Sequence, residues 1–240
     1  MANVRRPEQL GLTLDHTARL GREDFIEGPS NASALHLIER WPDWPHRVVV
    51  LVGPEGAGKT HLAAIWATAS EARTVAAGAV VHDDVPALLA THALVIDDLA
   101  PGSFDERTLF HLLNLARQEQ AFVLIAARSQ PAAWTVAIKD LASRLRALPV
   151  VTLSSPDDAL LRAVIVKLCA DRQLAVDESL VSYLVTRIER SFAAVQAAVA
   201  TLDREALRQQ RRVTRAFAVE LFRDSDQPDL FGEDGGNESV

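Results

Sequence analysis

Residues Gly53-Pro54-Glu55-Gly56-Ala57-Gly58-Lys59-Thr60 have the form G-x-x-x-x-G-K-[ST]. That spacing suits a phosphate. Glycines let successive backbone N–H groups turn inward around an anion, and the N-terminus of the following helix adds partial positive charge. Lys59 is placed to neutralise the β- and γ-phosphates, and Thr60 to put its hydroxyl on Mg²⁺. His61 follows on the same helix and is grouped with the nucleotide residues Gly53, Pro54, Gly56, Ala57, Gly58, Lys59 and Thr60. A second element is Leu94-Val95-Ile96-Asp97-Asp98, an apolar run ending in two carboxylates. In such a pairing Asp97 serves the metal and Asp98 polarises an attacking water. Taken alone, two acids after a strand fit a turn or a cap equally well; the phosphate loop upstream favours the chemical reading.

The surrounding pattern supplies the scaffold. Val48–Val52 is a buried-strand run that leads into the loop, and Lys59–Ser70 reads as the helix leaving it. Short apolar runs at Thr74–Ala77, Leu94–Asp97, Phe122–Ala126 and Val150–Leu153 alternate with helical segments. Those segments are Ala34–Arg40, Asp84–Ala90, one from Ser103 to about Gln120, and Pro131–Arg146. Ser103 and Glu106 form a capping-box pattern at the start of the third of them. Strand–helix alternation predicts an α/β fold with a parallel sheet covered on both faces. After Leu153 no strand pattern remains. Ser155-Pro156-Asp157-Asp158 reads as a helix start, and four helices are expected at about 157–172, 177–189, 191–210 and 214–223. The expected organisation is an arm over 1–22, a P-loop domain over 23–154, a small all-helical domain over 155–223 and an acidic tail over 224–240.

Composition narrows the setting. The 240 residues carry a net charge of −7, and 48% are hydrophobic, which is ordinary globular composition. Asp224, Asp226, Asp229, Glu233, Asp234 and Glu238 lie in the tail without a Lys or Arg; removing them leaves residues 1–223 at −1. The acidity is mostly the tail's, so it says little about the body's partners. Cys169 is the lone cysteine, which excludes a disulfide scaffold and fits a reducing compartment. No apolar run reaches membrane length and no leader pattern opens the chain, so a cytoplasmic protein with no membrane partner is expected. The seven histidines show no metal-ligand spacing. Trp41, Trp44, Trp66 and Trp134 read as packing residues, and Cys169 as a core thiol. Arg204, Arg208, Arg211, Arg212 and Arg215 read first as a solvated face and second as a docking surface. Only Lys59, Lys139 and Lys167 are lysines, so a lysine in a motif stands out.

With these motifs in place the chain resembles the AAA+ ATPases of the bacterial replication initiator (DnaA) family over roughly residues 22–223. Phe25-Ile26-Glu27-Gly28-Pro29-Ser30-Asn31 resembles that family's entry segment, which implies adenine contacts at Phe25, Ile26 and Gly28. Asp140-Leu141-Ala142-Ser143-Arg144-Leu145 resembles its Ser-Arg motif, which implies that Arg144 is an arginine finger offered to a neighbouring subunit's nucleotide. After the helical part the sequence reads as an acidic tail, so no duplex-reading module is expected there, and this architecture resembles the Hda-type regulators. The resemblance implies ATP or ADP with Mg²⁺ as ligands, and DnaA and the DNA polymerase III sliding clamp (beta) as partners. It also implies DNA contact mainly through the clamp, a place at the nucleoid and replisome, and stimulation of DnaA-bound ATP hydrolysis. Self-association is left open. Gln9-Leu10-Gly11-Leu12-Thr13-Leu14 fits the family's clamp-docking peptide through Gln9, Leu10, Leu12 and Leu14. Gln227-Pro228-Asp229-Leu230-Phe231 fits the general clamp form Q-x-x-L-F through Gln227, Leu230 and Phe231.

Two departures from the family qualify the activity. After the strand Phe122–Ala126 the family has a polar residue near the γ-phosphate; here Arg128 and Ser129 stand there and neither matches cleanly. In the lid, Ala193 falls where the family has an arginine, with Arg190 one turn earlier. Weak intrinsic hydrolysis with retained nucleotide binding is the expectation. A self-sufficient ATPase of helicase-loader type, or a DNA-binding initiator paralogue, are the alternatives.

Overall fold

The computed structural model describes residues 20–223. Both candidate clamp peptides, at 9–14 and 227–231, lie outside the described residues. Five strands form one sheet: β1 (Val48–Val52), β2 (Arg73–Ala76), β3 (Ala93–Leu99), β4 (Phe122–Ala127) and β5 (Val150–Thr152). The order is β2-β3-β4-β1-β5 and every pairing is parallel. The β-branched and leucine-rich strands need apolar cover on both faces. One face carries α3 (Val85–Leu88), α4 (Glu106–Gln118) and α5 (Lys139–Ala147), packed through Leu109, Leu112, Leu141 and Leu145. The other carries α1 (Ala32–Glu39) and α2 (Lys59–Ser70), packed through Leu35, Leu62 and Trp66. Trp44 stacks on Trp66 at 4.9 Å, so these tryptophans serve packing.

The remaining helices, α6 (Asp158–Asp171), α7 (Glu178–Arg187), α8 (Phe192–Gln209) and α9 (Arg215–Arg223), bury a core of their own around Leu161, Ile165, Leu184, Val199 and Phe217. Each such side chain contributes about 1.5–3 kcal/mol by leaving water. Cys169 is fully buried in that core, and burial pushes its thiol up to about 11. The basic stretch late in this domain is largely self-paired: Arg208 meets Glu205 at 2.7 Å and Arg211 meets Glu220 at 3.0 Å.

Three local readings change. Asp105, not Ser103, caps α4: its Oδ1 accepts from the Thr108 N–H at 2.8 Å and the Thr108 hydroxyl at 2.7 Å. Those bonds hold the Asp105 carboxyl below its usual range. Ser103 instead closes a turn with the backbone of Ala100. Glu106 completes no capping box; its two carboxylate oxygens accept from the N–H groups of Ala137 and Ile138, each at 2.9 Å. Helix α5 therefore begins at Lys139, and the expected helix over 131–146 resolves into a 3-10 turn at Pro131–Ala133, an extended link and α5. Asp157 caps α6 through the Leu160 N–H at 2.8 Å, leaving Ser155 and Pro156 outside the helix.

Candidate functional site

Strand order explains the site. Because β4 lies between β1 and β3, the loop after β1, the carboxylates of β3 and the residue after β4 share one end of the sheet. That carboxyl end is where open α/β sheets place ligands. The loop turns on Gly56 (φ +69°) and Gly58 (φ +96°), conformations that suit glycine, and delivers Lys59 at the first turn of α2. Lys59 Nζ donates to the carbonyls of Gly53 at 2.8 Å and Pro54 at 2.7 Å. Burial first, and the nearby Arg128 second, lower the Lys59 ammonium's pKa. Thr60 Oγ1 donates to Asp97 Oδ2 at 3.0 Å. A hydroxyl and a carboxylate converging in this way are hard oxygen donors of the kind Mg²⁺ takes alongside phosphate oxygens and water.

Strand β3 runs two residues past the expected Asp97, through a bulge. Ile96 pairs with Ile125 and Leu99 with Ala127, so β3 spends three steps where β4 spends two. Asp98 occupies the bulge with φ +55°, a left-handed conformation that aspartate tolerates better than most residues. Its N–H donates to Asp97 Oδ1 at 2.9 Å.

A cavity of about 700 Å³ opens between this loop and the helical domain. Of the sequence candidates, Phe25, Ile26, Gly56, Gly58, Lys59, Thr60 and His61 line it. Gly53, Pro54, Ala57 and Gly28 support it from outside: the first two hold Lys59, Ala57 is buried, and Gly28 packs against Leu160. The entry segment is pinned by the buried Asn31, whose Oδ1 accepts from Gly28 N–H and whose Nδ2 donates to the Ile26 carbonyl. Phe25 meets the His61 ring edge-on at 5.1 Å.

The opposite wall comes from α6 and α8, including Lys167, Phe192, Ala193 and Gln196. Sequence reasoning missed Lys167 and Phe192 here, although the scarcity of lysine was a signal. Lys167 Nζ spans to Asp24 Oδ1 at 2.6 Å and Asp171 Oδ2 at 2.9 Å, and these bonds raise its pKa. Helix α8 also touches the loop by main chain: Phe192 N–H donates to the Gly56 carbonyl at 2.8 Å. Ala193 lines the cavity, while Arg190 pairs with Asp158 at 2.8 Å within the helical domain. Ser129 is engaged by the Trp134 indole at 2.9 Å, so Arg128 is the residue turned toward the carboxylates. Arg144 is not among the residues lining the cavity; its guanidinium lies 5.2 Å from the Phe110 ring centroid, beside α4.

A five-stranded parallel sheet in this order, a loop of P-loop form, paired acids on β3 and a four-helix lid make up the fold of AAA+ proteins. Residues 158–221 match the family model for the Hda lid domain. Domain III of DnaA from Thermotoga maritima superposes with a TM-score of 0.71 at 19% identity, covering 87% of this chain and 98% of that one. The RuvB Holliday junction branch migration motor from Thermotoga maritima gives 0.68 at 17% identity, covering 86% and 72%. A DnaA structure bound to AMPPCP and single-stranded DNA gives 0.59 at 17% identity, covering 78% and 67%. Among curated proteins none matches. The chain thus carries an Hda-type lid over residues 158–221 and shares the fold of DnaA domain III over most of its length. Among the described residues no helix is long and apolar enough to cross a membrane.

Proposed function

We propose that this protein is a nucleotide-binding regulator of replication initiation that stimulates hydrolysis of the ATP held by DnaA. Adenine nucleotide occupies the cavity between loop and lid, with its base toward Phe25 and Ile26 and its phosphates toward Gly56–Thr60. Thr60 and Asp97 hold Mg²⁺, which supplies charge neutralisation on the outer phosphates. Asp98 is the water-polarising carboxylate. Gln9, Leu10, Leu12 and Leu14, with Gln227, Leu230 and Phe231 as a second peptide, dock on the DNA-loaded sliding clamp. Two peptides on one ring raise avidity when the span allows both to engage.

The observation that carries this reading is the position of Arg144. It stands outside its own chain's cavity, on a helix whose entry is fixed by Glu106. An arginine so placed suits a phosphate on another subunit, where such a finger raises phosphoryl transfer by roughly 10³–10⁵. The test is a reconstitution of this protein, clamp on DNA, and ATP-loaded DnaA, scored for ADP produced. Stimulation that is lost in Arg144→Ala, with clamp binding intact, is the expected result. No stimulation at saturating protein would sink the reading, and full stimulation by the variant would reject the finger.

A further inference from the structure

The residue after β4 turns its guanidinium back across the strand ends. Arg128 Nε donates to Asp98 Oδ1 at 3.2 Å, and Nη1 donates to Glu55 Oε2 at 2.7 Å. Glu55 is the third residue of the phosphate loop, 73 positions away in sequence. Asp98 is thus fixed from two sides, by Arg128 at its carboxylate and by its bond to Asp97 at its own N–H. We propose that Arg128 is a restraining residue: it occupies the Asp98 carboxylate and slows this chain's own turnover of bound nucleotide. This inference rests on reading the cavity as a nucleotide site.

The chemistry gives the direction. In hydrolysis a water oxygen forms a bond to the γ-phosphorus while the bond from that phosphorus to the β,γ-bridging oxygen breaks. The electron pair leaves on ADP, and the water's proton passes to the Asp98 carboxylate and then to solvent. A carboxylate already bonded to a guanidinium is a weaker acceptor for that proton. Arginine does not lose its charge, so the contact with Asp98 persists across the working pH range.

Arg128 acts through Asp98, and three variants separate that role from a merely structural one. Arg128→Gln should raise kcat by up to about fivefold with KM changed less than kcat, the upper end of the scale for exposed pairs. Arg128→Lys, which keeps the cation, should stay near the wild-type kcat. Arg128→Gln combined with Asp98→Asn should lose the gain. Independently of activity, fluorescent ADP and a fluorescent non-hydrolysable ATP analogue should each bind Arg128→Gln as they bind wild type, which places the effect on turnover and not on binding. Nucleotide binding by wild type with no rise in kcat, or a rise that survives Asp98→Asn, would overturn this inference alone. Failure of wild type to bind either nucleotide would overturn the nucleotide reading and this inference with it.

Discussion

Gly56→Ala tests whether the lid rests on the phosphate loop. Gly56 sits at φ +69°, and a Cβ added there would come within 2.6 Å of Ser191 Cβ and 3.0 Å of Ser191 Oγ. Ser191 cannot retreat cheaply: it is buried and caps α8 through the Ala194 N–H at 3.1 Å. Two costs add. The left-handed conformation costs an alanine about 1–2 kcal/mol. Pushing the cap aside is an overpacking change of about 1–3 kcal/mol. Gly102→Ala isolates the first cost, because Gly102 is at φ +79° with nothing within 4 Å of an added Cβ. At this chain length 1 kcal/mol corresponds to about 2–4 °C, so Gly56→Ala should melt roughly 2–12 °C below Gly102→Ala. The assay is thermal unfolding of both variants without added nucleotide, since a ligand would stabilise the folded state by mass action. Equal melting of the two variants would refute the packing of α8 against the loop.

Three further outcomes follow from other contacts. Lys167→Met leaves the largely buried Asp24 without its partner and should cost about 1–2 kcal/mol, between the exposed and buried cases. Because the Lys167 pKa is raised above 10.5, this contribution is complete below that pH and fades as pH rises through the folded-state pKa. The stability gap between wild type and Lys167→Met should accordingly close in alkaline denaturation series, and a constant gap would dismiss the ion pair as its source. Ala193→Arg adds a cation to the cavity wall and should tighten triphosphate over diphosphate by about tenfold; an unchanged ratio would show that position 193 does not reach the outer phosphate. Cys169, buried and with its pKa pushed up to about 11, should react with a thiol reagent only as fast as the lid core opens. Leu161→Ala in that core should speed the reaction, and rapid labelling of the native wild type would contradict the buried placement.

The parts of the site that the sequence made legible are contiguous. Gly53–Thr60 declares its chemistry in eight residues, and the acids of β3 follow an unbroken apolar run. What stayed hidden depends on distant partners. The Arg128–Glu55 contact needs the strand order, and alternating strands and helices imply a parallel sheet without saying that β4 lies beside β1. Likewise Lys167 reaches Asp24 across 143 positions. Helix ends failed for a different reason. Ser103 and Glu106 have capping-box spacing, but Asp105 offers a closer, charged acceptor to Thr108, which frees Glu106 for another helix. The bulge at Asp98 had no signal in an Asp-Asp pair, since no glycine marks it.

Glu106 bears on how variants of this protein are interpreted. Helix α5 has no side-chain cap of its own; Ile138 stands at its N-cap and its entry amides are met by a carboxylate from α4. The start of the helix that carries Arg144 is therefore held by a residue 38 positions earlier, on a different helix. On the finger role proposed for Arg144, a defect at Glu106 would mimic loss of Arg144 while every atom of Arg144 remained. Genetic maps of that role would then extend along α4, where Glu106 is a bracket for its neighbour.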